Sequence, residues 1–215
     1  MRTIAGMNVD LGVMYRSARL RIAELVSDEV GDVPVSATPL WNVHDVIAHV
    51  TGVVDDAVSG NMAGVTSDPW TAAQVERGRG RSIAEMLAGW LDSAPMVESV
   101  LSSPEGAGRA AAVFDLHTHE CDLLTALGRP IAVPADVLAW IDRQFRSGFA
   151  DAVAAAGLVP VMVEASPIEV FRSRLGRRTR DEVCAYDWSA DPDPYLCHWF
   201  VFGVAEHSLG ERVAR

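Results

Sequence analysis

A chain of 215 residues, 49% hydrophobic and 22% charged, has room for one domain, or one with a smaller appendage, around a real core. That composition excludes a disordered or collagen-like chain. The net charge of −11 repels phosphate backbones, so no nucleic acid partner is expected.

All 18 basic residues are Arg, which removes every mechanism that needs a lysine amine, such as a Schiff base or a phosphate-loop Lys. Cys121, Cys184 and Cys197 are too few and too scattered for a disulfide scaffold or a CxxC metal site. Met1 to Asp10 lacks a charged-then-apolar leader pattern, and no apolar run approaches membrane-spanning length. The expectation is a cytoplasmic protein with no membrane partner, a monomer or a homodimer.

Helical periodicity dominates the first 155 residues. Leu11, Met14, Ala18, Ile22, Leu25 and Val26 form one apolar stripe, which predicts a helix over 10–30 stopped by Gly31 and Pro34. Asn42, with Asp45 three residues on, is a helix-start signal for a second helix over 43–59. Gly60, Gly64, Asp68 and Pro69 read as a long connection to a third helix opening near Ser82, with Pro95 predicted to kink or split it. A fourth helix spans 109–127, closed by Gly128 and Pro130, and a fifth runs from Pro134 to Gly157. Beyond it the texture changes: a strand at 159–165, helices at 168–175 and 179–186, and a rigid turn at 191–194. The domain reading is therefore 1–157, a helical bundle, and 158–215, a small α+β region; the fold class is mainly α.

The densest chemistry lies in Asp115-Leu116-His117-Thr118-His119-Glu120-Cys121-Asp122. Residues four apart on a helix stack on one face, so Asp115 and His119 project together while His117 and Cys121 point elsewhere. A carboxylate and an imidazole on the core side of a helix are costly to bury uncompensated, and a divalent ion compensates both. His49, on the Val46, Val50 and Val53 face of the second helix, is the natural third donor; His44, in that helix's first turn, is expected to be exposed. The set His49, Asp115 and His119 suits zinc, with nickel or iron as alternatives, and leaves coordination open for water or substrate. Asp122 is the rival carboxylate, or a group orienting an imidazole from behind. The plain alternative is that both histidines are hydrogen-bonded core residues. The basic run Arg172, Arg174, Arg177, Arg178 and Arg180 is either a solvated face or a binding surface for an acidic ligand, with Arg172, Arg177 and Arg178 as the residues to contact it.

The segments Trp41-Asn42-Val43-His44-Asp45-Val46-Ile47-Ala48-His49 and Asp115-Leu116-His117-Thr118-His119-Glu120-Cys121-Asp122-Leu123 together resemble the mycothiol-dependent maleylpyruvate isomerase family. That family belongs to the DinB-like metal-binding four-helix bundles. Its pattern is W-x-V-x-D-[VL]-x-x-H on one helix and E-x3-H-x-x-D-L on another. The tail from Phe171 through Leu196 also looks like members of the group. The resemblance implies that His49 and His119 are metal ligands and that Asp115 stands where the family carries Glu, one methylene longer. It also implies a low-molecular-weight thiol, mycothiol, as cosubstrate. Only one predicted strand lies between Gly157 and Ile168, so the family's C-terminal α+β domain is expected to be trimmed.

The function expected is that of a metal-dependent isomerase or S-transferase acting on a small electrophile through that thiol. The alternative is a non-catalytic metal-binding or stress-response module on the same bundle.

Overall fold

The computed structural model describes residues 9–214. The reading of residues 1–8 as free of a leader lies outside them. The chain is mainly α, and it divides into two compact units between Arg129 and Pro130.

In the first unit, α1 (Leu11–Leu25), α2 (Val43–Ser59), α4 (Ile83–Ser102) and α5 (Ala110–Ala126) form a four-helix bundle. α1 packs on α4 and α5, and α2 packs on the same two from the other side, which closes the ring. α3 (Asp68–Gly78) lies against α2, outside the ring. The core is filled by Ile22, Ile47, Ile83, Met86, Trp90, Leu116 and Leu123, all essentially solvent-free.

The caps follow the residues. The Asn42 side chain accepts from Asp45 N–H while the Asp45 carboxylate accepts from Asn42 N–H, a reciprocal cap worth about 1 kcal/mol that sets where α2 begins. Ser82 and Glu85 do the same for α4. Gly60, at φ +76°, ends α2 in the left-handed conformation that glycine adopts without strain.

Several boundaries differ from the sequence reading, each for a visible reason. α1 ends at Leu25 rather than near Val30, because Val26 turns extended and a separate 3-10 turn takes Asp28–Val30. α4 is not split at Pro95. That residue lies on the exposed face of the helix, where the missing backbone hydrogen bond is best tolerated. α3 falls where a long connection was expected: Pro69 occupies the first turn, where its missing N–H costs nothing.

Two long-range features tie α1 to α4. At Gly12 a Cβ atom would stand 2.1 Å from the Glu98 carbonyl oxygen, so glycine lets the backbones approach. Beside it the buried Glu98 carboxylate accepts from Arg16 (2.7 Å) and Arg19 (2.8 Å).

The second unit holds α6 (Ala135–Ala155), α7 (Pro167–Arg174), α8 (Arg180–Cys184), the one-turn α9 (Leu196–Trp199) and a two-stranded antiparallel sheet. In that sheet β1 (Val163–Glu164) pairs with β2 (Asp187–Trp188), Val163 opposite Trp188. The strand expected over 159–165 is thus only two residues long, and its partner was not foreseen. α6, read as part of the bundle domain, packs on α7 and α9 and lies in the second compact unit. Its apolar stripe, Trp140, Ile141, Phe145, Phe149 and Val153, is covered by Phe171 and Trp199.

Gly176 follows α7 at φ +77°, and a Cβ there would meet the Phe202 carbonyl oxygen at 2.0 Å. Gly176→Ala combines left-handed strain with a backbone clash and is expected to cost about 2 kcal/mol or more, read as a lower urea midpoint for the second unit. An unchanged midpoint would show that the segment at Phe202 yields freely.

Candidate metal centre

Three side chains from two helices converge inside the first unit. His49 comes from the middle of α2, Asp115 and His119 from one face of α5, and their donor atoms all lie within 4.8 Å of one another. The Asp115 carboxylate straddles the pair: Oδ2 is 3.6 Å from His49 Nε2 and Oδ1 is 3.6 Å from His119 Nε2. Both spacings are long for a hydrogen bond. Each is close to the edge of a coordination tetrahedron, about 3.4 Å for two donors about 2.1 Å from one ion, with a different oxygen facing each ring. Two imidazole nitrogens and one carboxylate oxygen form the donor set of a hydrolytic or Lewis-acidic zinc site with an open position. On geometry and on donor chemistry, the residues fit a divalent ion.

The surroundings are asymmetric. The two histidine side chains are 7% exposed, whereas the Asp115 side chain is 41% exposed, so the carboxylate marks the side from which solvent reaches the group. Trp41 forms the wall, its ring centroid 5.3 Å from that of His49 and 6.1 Å from that of His119. The segment before α2 positions it: Val35 N–H donates to the Trp41 carbonyl and a β-bridge joins Pro34 to Asn42.

Behind each imidazole stands a polar group. The Asp122 carboxylate lies 3.3 Å from His119 Nδ1, and the Gln74 amide oxygen lies 2.7 Å from His49 Nδ1. Asp122 therefore occupies the orienting position and not the centre of the group. Burial alone would push His119 down, but Asp115 and Asp122 outweigh it and raise the imidazole to about 9. Desolvation of the part of Asp115 packed against the two rings opposes its charge, yet the contacts with His119 and His49 hold its carboxyl well below the ordinary value.

The other singled-out histidines fall elsewhere. His44 is half-buried rather than exposed, with Nε2 2.7 Å from the Arg81 carbonyl oxygen. His117 is fully buried on the opposite face of α5, near the Arg21–Glu120 ion pair, its Nδ1 donating to the Val113 carbonyl.

Burial, with a smaller contribution from Arg21 and against the Val113 hydrogen bond, holds the His117 imidazole down at about 4. An unfolded chain takes up this proton near 6.5, so stability is complete above that pH and is lost as pH falls towards 4, by about 3 kcal/mol. Unfolding titrations of His117→Gln are expected to lose this component between neutral pH and pH about 4; an identical slope in both proteins would contradict it.

The arginine run does not form an open face. Arg172 is fully buried and chelated by Glu211; Arg178 binds Glu169 and, at 2.7 Å, Glu211. Arg177 donates to the Leu175 carbonyl, and Arg174 donates to the carbonyls of His198 and Trp199 over the rings of Phe145, Phe149 and Trp199. Arg172 and Arg178, expected with Arg177 to contact an acidic substrate, are thus engaged in an internal network that fastens the C-terminal segment to α7. Spacing could not reveal this, because the partner Glu211 lies more than thirty residues away.

A family model described as the mycothiol maleylpyruvate isomerase N-terminal domain matches residues 16–127, more than half of the chain and nearly all of the bundle unit. The chain belongs to that family. No curated protein and no solved structure matches it. Among the described residues, no helix is long and apolar enough to cross a membrane.

Sequence reasoning missed Gln74 and the placement of Trp41 against both imidazoles. Gln74 sits at a buried position of α3 beside Trp70 and Val75, and a polar residue inside an apolar stripe is the signal that could have found it.

Proposed function

We propose that this member of the family is a metal-dependent enzyme that uses a low-molecular-weight thiol of the mycothiol type to isomerise a small electrophile or to conjugate the thiol to it. The observation that carries the reading is the placement of Asp115 between two imidazoles, 3.6 Å from each, at spacings suited to a shared cation. His49, Asp115 and His119 would hold a divalent ion, zinc by donor type. When bound, the ion supplies a Lewis-acidic position that favours the thiolate form of a thiol at neutral pH.

The protein's own residues do the rest. Asp122 and Gln74 orient the two imidazoles, Trp41 offers an apolar wall to a small substrate, and the exposed edge of Asp115 leaves a way in. No cysteine or lysine of the chain is needed as nucleophile, in keeping with three scattered cysteines and no lysine.

Elemental analysis of the purified protein, with thiol-conjugation and isomerisation assays on a panel of electrophiles, tests the reading. Stoichiometric metal with thiol-dependent turnover is expected. Metal without turnover on any thiol would leave a metal-binding module, and no metal at all would reduce the two histidines to core residues.

A further inference from the structure

Behind His49 runs a buried chain of polar groups that leads away from the centre and ends on a charge. His49 Nδ1 is 2.7 Å from Gln74 Oε1, and Gln74 Nε2 donates to Asp56 Oδ2 at 2.8 Å. Asp56 Oδ1 accepts from Arg77 at 2.7 Å and from Asn61 at 2.9 Å. Gln74 and Asp56 are 1% and 3% exposed, so water does not substitute for these partners. Room for the chain is made by Gly52 on α2, where a Cβ would stand 2.8 Å from that of Gln74. Glycine in mid-helix costs about 1 kcal/mol against alanine, and here it lets α3 bring an amide to the back of His49.

The logic of donors and acceptors runs in one direction. Burial opposes the charge on Asp56, but hydrogen bonds from Asn61, Gln74 and Arg77 hold its carboxyl below the ordinary value, so it only accepts. An amide facing an acceptor-only group must present its NH2, which turns the Gln74 carbonyl oxygen to His49. An imidazole nitrogen facing a carbonyl oxygen must carry a proton.

We infer that Gln74 and Asp56 are positioning residues that impose the Nδ1–H tautomer on neutral His49 and so keep Nε2, the nitrogen on the Asp115 side, as the one available to a cation. The consequence for metal affinity rests on the function proposed above; the tautomer itself does not.

The two are separable by experiment. Long-range 1H–15N correlation spectra of the metal-free protein, at a pH above the His119 value of about 9, report which ring nitrogen of His49 is protonated. The Nδ1–H form is expected in the wild type. Asp56→Asn provides a group that both donates and accepts, so the amide is free to turn and the two tautomers should mix. Gln74→Leu should mix them as well.

With zinc alone as probe, each of these variants should bind about 10–100-fold more weakly than wild type, the usual effect of losing a group behind a ligand. The double variant Asp56→Asn with Gln74→Glu places an acceptor-only carboxylate behind His49 again and should recover the Nδ1–H signature and most of the affinity. A merely structural role would not produce that recovery.

An Nε2–H wild type, or an unchanged tautomer in both single variants, would overturn the inference. A wild type that shows Nδ1–H but binds no zinc would support the tautomer assignment and remove the metal reading instead.

Discussion

His119→Ala is expected to weaken zinc binding by on the order of 10³-fold. A three-ligand site spreads a binding free energy of roughly 10–16 kcal/mol over its donors, so one imidazole accounts for about 4 kcal/mol. His49→Ala should lose a similar amount. Asp122→Asn, which only loosens the ring from behind, should lose about 10–100-fold. The signature that separates a ligand from a neighbour is the pH dependence. In the metal-free protein His119 is protonated up to about 9, so loading must expel that proton. Affinity should therefore rise about tenfold per pH unit from neutrality and level off near pH 9. In His119→Ala the proton is absent, and the slope should flatten. Isothermal titration with zinc at several pH values reads both effects. Wild-type affinity for zinc in His119→Ala would remove His119 from the site.

Glu98→Ala is expected to be the most damaging single change in the bundle, at about 3–5 kcal/mol. The carboxylate is buried between α1 and α4 and accepts from Arg16 at 2.7 Å and Arg19 at 2.8 Å. The Arg19 side chain is 7% exposed and would be left as a charge without its partner inside the unit, whereas Arg16, at 57%, turns into water. Arg16→Ala should consequently cost about 1 kcal/mol or less. Chemical unfolding of both variants gives the contrast; near-equal losses would mean that leaving the buried Arg19 without its partner adds no cost. The proposed metal centre, His49, Asp115 and His119, uses other side chains, so a folded Glu98 variant should keep any metal affinity of the wild type.

How much of the molecule could be read from its residues depends on the range of the interaction. α2 is the clearest case: Asn42, Asp45 and Gly60 specify its start and end through contacts within one turn, and the expected span 43–59 is the observed one. The centre was legible in the same way up to a point. The i, i+4 spacing of Asp115 and His119 puts them on one face whatever else the chain does. His49 could be nominated from its place on the apolar face of the second helix, but that it meets them is decided only by the folded bundle, because nothing local connects α2 to α5. The arginines fail for that reason. A run of charges looks alike whether it meets solvent or, as for Arg172 and Arg178, a glutamate more than thirty residues further along the chain. α3 was lost to its own composition: Gly64 and Pro69 signal a connection, and only packing against α2 makes the stretch after Pro69 a helix.

The amino-acid order by itself determined the helical class, the caps, the absence of an amine nucleophile and the face that Asp115 and His119 share, because each follows from composition or from neighbours within a turn or so. The packing of the helices decided the rest. It set the 3.6 Å bridge to His49, the amide that α3 delivers behind that imidazole, and the place where one unit ends and the next begins. These depend on which side chains meet across dozens of residues, and that choice is made by the burial of apolar surface across the whole unit, which no short window of sequence contains.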